Sequence, residues 1–129
     1  MAPTFRQLWE LDTGRPVVLR LEVADSYWKR SWGLLGRKEL PQGSGLWIAP
    51  CSGVHTFAMR FPIDLLFLDA QGRAIKVVSN LAPWRMCGPV RGARVVVELP
   101  AGAIEREGIQ CERRYMLTSL ESPDYRSNR

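Results

Sequence analysis

The chain has no apolar run approaching the about 20 residues that a membrane-spanning helix needs. It shows no secretory leader either. The opening residues MAPTFRQLWELDTGRP place Glu10 and Asp12 where a signal peptide carries its apolar stretch, so a cytoplasmic protein is expected. Histidine is reduced to His55, and cysteine to Cys51, Cys87 and Cys111. Three thiols leave at least one unpaired in a monomer, and a cytoplasmic chain keeps such thiols reduced. Together with His55 they would make four soft ligands, the number a structural zinc takes. Their spacing is wrong for it: Cys87 and Cys111 stand alone, and Cys51 and His55 would sit about 13 Å apart on an extended strand. Neither metal nor cofactor is expected. Lysine is scarce as well: 15 of the 18 basic residues are arginine, and the formal net charge is +5. Arginine suits phosphate and carboxylate. These arginines are scattered along the chain, however, so nucleic acid is not the expected partner. Glycine-rich nucleotide loops are missing, as is a GxSxG nucleophile elbow. Internal repeats, low-complexity segments and strand–helix alternation are also absent.

What remains is a chain of 129 residues, 46% apolar and 24% charged, which fits one globular domain able to bury a core. The core is expected over about residues 16–118, with a lead-in at 1–15 and a polar tail at 119–129. In PVVLRLEV (16–23), Val17, Leu19, Leu21 and Val23 alternate with polar Arg20 and Glu22, the period of a half-buried strand. Asp25 then offers an N-cap, and Trp28, Trp32 and Leu35 recur at helical steps. A short helix near 25–35 should therefore bury that stripe and close one end of the core. Further strands are expected at Leu46–Ile48, at 54–60 and from Ile63 to Leu68, the last apolar on both faces and so covered on both sides. The Asp69–Gly72 tetrapeptide reads as a hairpin turn leading to a return strand over about 74–78. An irregular segment at 80–92, a strand at 94–99, one helical turn at 101–106 and a last strand at 109–117 complete the chain. The fold class is mainly β, a sandwich or barrel.

Three pieces in order are distinctive: Gly33-Leu34-Leu35-Gly36-Arg37, Gly45-Leu46-Trp47-Ile48, and the block from His55-Thr56-Phe57-Ala58-Met59 through Ile63-Asp64 to Asp69. With Val97-Glu98-Leu99-Pro100-Ala101-Gly102 they resemble the bacterial and archaeal family known as domain of unknown function 192, over roughly residues 17–117. The resemblance implies a mainly-β sandwich of jelly-roll character and no assigned activity. Many members of that family are exported, whereas this chain shows no signal. It also departs from the pattern at Gly108-Ile109-Gln110-Cys111-Glu112, where the family often has a Gly-Asp pair opening the last strand.

The central block carries the residues with chemical potential. On a continuous strand, His55, Phe57, Met59 and Phe61 share one face, and Thr56, Ala58 and Arg60 the other. A histidine on an apolar face is usually a hydrogen-bonded core residue. Asp64 follows the Phe61-Pro62 break among apolar neighbours, and an aspartate there needs a partner. The available partners are a backbone amide at the bend, Arg60, or the ring of His55. A His55–Asp64 pair would raise the basicity of the imidazole, as acid–base sites do, but it would equally lock a hairpin, and the structural role leads. Cys51 and Ser52 are too far from His55 for a nucleophile, and Thr56 lies across the strand. Asp64 and Asp69 point to opposite faces, which rejects a glycosidase pair. The candidate ligand-binding set is His55, Thr56, Arg60 and Asp64. The leading reading is a non-catalytic accessory domain that binds a partner protein or a small ligand. Behind it stand a small-substrate enzyme using His55 with Asp64, and an anionic-polymer binder using its arginines.

Overall fold

The computed structural model describes residues 4–24 and 39–119. The helix expected near 25–35, with Trp28 and Trp32, lies outside the described residues. Among those described, the chain forms β1 (Thr4–Glu10), β2 (Arg15–Ala24), β3 (Ser44–Ile48), β4 (Val54–His55), β5 (Ile63–Leu68), β6 (Ala74–Leu81), β7 (Met86–Cys87), β8 (Val95–Pro100), α1 (Ala103–Glu107) and β9 (Tyr115–Ser119). Seven strands build one sheet in the order β6-β5-β8-β3-β2-β1-β9, and β4 pairs with β7 in a separate ribbon. The β2–β3 pair is parallel, and the other pairs in the large sheet are antiparallel. The fold is mainly β, as the short, punctuated apolar runs imply.

The large sheet curls until its two ends touch, without closing as a barrel. The Tyr115 amide donates to Gly72 O at 2.8 Å, and Ala74 N and Arg113 O meet at 2.9 Å. Gly72 makes this approach possible. Its φ is +84°, and a Cβ there would lie 2.5 Å from Tyr115 O. The preceding Asp69 holds the turn by accepting the Gln71 and Arg73 amides on Oδ1, each at 2.9 Å.

Both faces of the sheet are covered. Leu66, Leu68, Val97 and Leu99 enter one apolar cluster with Leu8, Val18, Leu21 and Tyr115. Ile63, Leu65, Phe67 and Val96 enter a second, with Leu46, Ile48, Met59 and Phe61. β5 and β8 thus send alternate side chains into two cores, which is why neither reads as half polar. Gly45 in β3 is required by close packing, since a Cβ would meet Glu98 O and the Leu99 side chain at 2.9 Å.

Four expectations are revised. Residues 4–10, read as lead-in, form β1, which pairs with β2 on one side and β9 on the other and buries Leu8 completely. The alternation in β2 breaks at a bulge, where Arg6 pairs with Leu21 but Leu8 pairs with Val18. Leu19 and Arg20 both donate to Gly43 O, and the extra residue turns Leu19 out to 57% exposure while Val17, Val18 and Leu21 go in. The strand expected at 54–60 stops at His55, because Ala58 takes φ +66° and Met59 N returns to Thr56 O. The last strand starts at Tyr115 rather than near residue 109.

Candidate functional site

Asp64 lies in β5 with its carboxylate fully buried, and backbone N–H groups supply its partners. Oδ1 accepts Asn80 N at 2.8 Å, and Oδ2 accepts Gly102 N at 3.0 Å and Ile104 N at 2.9 Å. Each bond has a structural task. The β5–β6 register shifts between Ile63 and Leu65, and Asn80, at φ +57°, occupies the irregularity in β6. Gly102 is the N-cap of α1 and has no side chain to cap it, so Asp64 supplies the cap from another strand. A carboxylate is suited to this position because it faces a helix start with amides on both oxygens. One side chain thereby ties β5 to β6 and to α1. Of the partners considered in the sequence, backbone amides are found, but they come from residues 80, 102 and 104 rather than from the Pro62 bend. His55 and Arg60 are not among them.

Thr56 is also buried, contrary to the outward face that a continuous strand would give it. Its hydroxyl donates to Ala82 O at 2.6 Å and accepts from Arg85 N at 2.9 Å. Its backbone N–H donates to Arg85 O at 2.8 Å, and its carbonyl accepts Trp84 N at 2.9 Å. Thr56 therefore knots the 56–59 turn to the 82–85 turn.

That knot presents a group of large side chains to solvent. The His55 and Phe57 rings stack with centroids 4.7 Å apart, and Phe57 stacks on Trp84 at 5.9 Å, both pairs inclined by 22°. Trp84 is 63% exposed, Met86 69% and Phe57 39%. The Phe57 amide also donates to His55 Nδ1 at 3.3 Å, which fixes the ring against the turn. Trp84 holds φ +64°, a left-handed conformation that costs a non-glycine residue roughly 1–2 kcal/mol. Beside the stack lies a cavity of about 340 Å³ between Ser52–His55 and Met86–Pro89. Arg60 and Arg85 are exposed on the same two turns.

Of the four residues singled out from sequence, His55 and Arg60 reach the surface, while Thr56 and Asp64 are buried supports. Phe57, Trp84 and Met86 were missed as surface residues. For Trp84 and Met86 the only signal was an apolar residue in a segment rich in proline and glycine, and Phe57, in a turn without either, gave none. The arginines divide similarly. Arg15 bonds Glu107 through its carbonyl and carboxylate, Arg73 and Glu112 pair at 3.4 Å, Arg113 holds buried Glu10 at 2.8 Å, and Arg20 lies 3.8 Å over the Phe5 ring. Cys51 and Cys87 are half-buried against the second core, and Cys111 is exposed. Among the described residues, no three histidine, cysteine or acidic side chains gather in a metal-binding group. Nor is any helix among them long and apolar enough to cross a membrane.

The bond from Asp64 to Gly102 joins the two sequence pieces, Ile63-Asp64 and Leu99-Pro100-Ala101-Gly102, that carry the family resemblance. Residues 9–116 match the model of the DUF192 family, described as uncharacterized ACR. The chain belongs to the DUF192 family. A UPF0127 protein of Pyrococcus horikoshii is 36% identical over 90 residues, which cover 66% of this chain and 76% of that protein. Another, from Pyrococcus furiosus, is 31% identical over 102 residues, or 75% of this chain and 85% of its own. Among solved structures, a protein of unknown function from Novosphingobium aromaticivorans superposes with a TM-score of 0.74 at 19% identity, covering 90% of this chain and 93% of that one. At that identity the likeness concerns the DUF192 fold alone.

Proposed function

We propose that this DUF192 chain is a non-catalytic accessory domain that binds a partner protein on the stacked His55–Phe57–Trp84 surface and Met86. The observation that carries the reading is Trp84, a mostly exposed indole held on a left-handed backbone by the Thr56 knot. Strain and apolar exposure together cost stability without serving the core, and both features gather at recognition sites. Arg60 and Arg85 beside the stack favour a partner segment whose apolar residues are flanked by acidic ones. The acid–base alternative has less support, because the Asp64 carboxylate is spent on three backbone amides. The anionic-polymer alternative is weakened by the arginines that serve ion pairs and ring contacts within the fold.

The test is co-purification from the native host followed by reconstitution with the purified partner. Trp84→Gly combined with Met86→Ser should weaken the partner about 30-fold or more, the size of a contact worth about 2 kcal/mol. Stability should stay within about 1 kcal/mol of wild type, since glycine relieves strain at residue 84 while the ring contact is lost. A partner bound equally well by both forms overturns the reading. So does any substrate whose turnover falls about 100-fold in a folded His55→Ala variant.

A further inference from the structure

A second cavity, of about 560 Å³, shares no lining residue with the one beside the stack and lies between the ends of β3 and β5, the Asp69–Gly72 turn, and the starts of β8 and β9. The curl of the sheet makes it. Beside β6, β9 is held through an isolated bridge between Arg73 and Arg114 and the bonds around Gly72 and Ala74. Further along, β9 pairs with β1, leaving a mouth between Leu117 and Trp47. Mouths of curled sheets are recurrent small-molecule sites, and this volume lies within the roughly 300–1,000 Å³ such sites occupy.

The lining combines an apolar wall with cationic and neutral donors. Trp47, Val95 and Leu117 form the wall, and Arg94 and Gln71 bring N–H donors. Asp69 also lines the cavity as a carboxylate, its Oδ1 accepting the Gln71 and Arg73 amides that hold the turn, so the attraction of Arg94 for an anion acts against one negative charge. Arg94 is exposed, and its guanidinium has no acceptor among the described residues, nor does the indole N–H of Trp47. A buried indole N–H takes a protein partner, whereas that of half-buried Trp47 is open to water or to a ligand in the cavity. Trp47 belongs to the distinctive Gly45–Ile48 piece. Leu46 and Ile48 are buried in the second core, Gly45 is required by close packing, and Trp47 packs part of its ring on the first core while the rest lines the cavity.

We infer that this cavity binds a small organic anion with a flat apolar body, its carboxylate on Arg94 and its rings against Trp47 and Leu117. A charge-assisted bond to arginine sets the preference for an anion, and the apolar wall requires a hydrophobic body. This site is separate from the stacked surface and does not depend on it.

Calorimetric titration with 1-naphthoate tests the inference, with neutral 1-naphthamide as the isosteric control. The carboxylate should bind saturably at one site, and the amide about 10-fold more weakly. Arg94→Gln should cost the carboxylate about the same factor and leave the amide unchanged. Leu117→Trp, which fills the mouth, should abolish binding of both. Trp84→Gly should bind naphthoate as wild type does, so failure here is distinguishable from failure at the stacked surface. Three results overturn the inference: no saturable binding of naphthoate to wild type, equal affinity for carboxylate and amide, or an Arg94→Gln variant that binds naphthoate unchanged. None of the three depends on the folding of Leu117→Trp.

Discussion

At the scale of single residues, the two polar side chains buried in the central block act through backbone groups. For Asp64→Asn the geometry gives a definite expectation. If the amide oxygen keeps Gly102 N and Ile104 N, the NH₂ group faces Asn80 N, donor against donor. Hydrogen bonds to a charged group are worth roughly 1.5–3 kcal/mol, so denaturant unfolding should show a loss of about 2–3 kcal/mol. His55 takes no part in the Asp64 bonds, and a double-mutant cycle of His55→Ala with Asp64→Asn should be additive within about 0.5 kcal/mol. A larger coupling would return the pair to acid–base consideration. That Asp64 needed a partner was legible from its apolar neighbours. The identity of the partners was not, because residues 80, 102 and 104 approach only through the β6 irregularity and the start of α1. Thr56 was misread for a local reason. Period-two reasoning assumes an extended backbone, and the left-handed turn at Ala58 carries no glycine to announce it.

Among the elements, β5 and its hairpin were the most legible, since six apolar or capping positions and Asp69–Gly72 specify strand and turn together. β2 was legible as a strand, yet its facing was not. A bulge depends on the neighbouring Gly43 carbonyl, which takes both the Leu19 and Arg20 amides. This gives a clear contrast between two leucines that simple alternation puts on one face. Leu19→Lys should change unfolding free energy by no more than about 0.5 kcal/mol, whereas Leu21→Lys should cost at least about 3 kcal/mol by burying a charge. Equal costs would remove the bulge. At the start of β9, burial pushes the Tyr115 phenol above its ordinary 10.0, an effect partly offset by the Gln110 amide that donates to its oxygen. Below pH 10 the phenol is protonated in both folded and unfolded chains, and its contribution is constant. As pH rises past 10 the unfolded chain loses its proton first, so stability falls, by at most about 1.4 kcal/mol per pH unit. Chemical unfolding from pH 9 to 11 should show that decline in wild type and a smaller one in Tyr115→Phe.

For the molecule as described, the decisive feature is that its first and last strands, β1 and β9, are neighbours. Arg6 pairs with Ser119 and Glu10 with Tyr115, and buried Glu10 is held by Arg113. Removing residues 1–10 should therefore abolish cooperative unfolding, and Leu8→Ala should cost about 2–5 kcal/mol as a buried truncation. A stable, folded truncation would show that the sheet tolerates the loss of β1. The sequence hid this strand because TFRQLWE mixes polar and apolar residues, and its pairing partner lies at the other end of the chain. That arrangement also sets a timetable. The β2 partner of β1 follows it directly in the chain, but the strand for its other edge comes more than a hundred positions later, on the order of 5–20 s at ribosomal rates of about 5–20 residues per second. During synthesis the nascent chain carries an open edge bearing Arg6, Gln7 and Glu10, and such polar side chains discourage pairing with strands of other chains until β9 arrives.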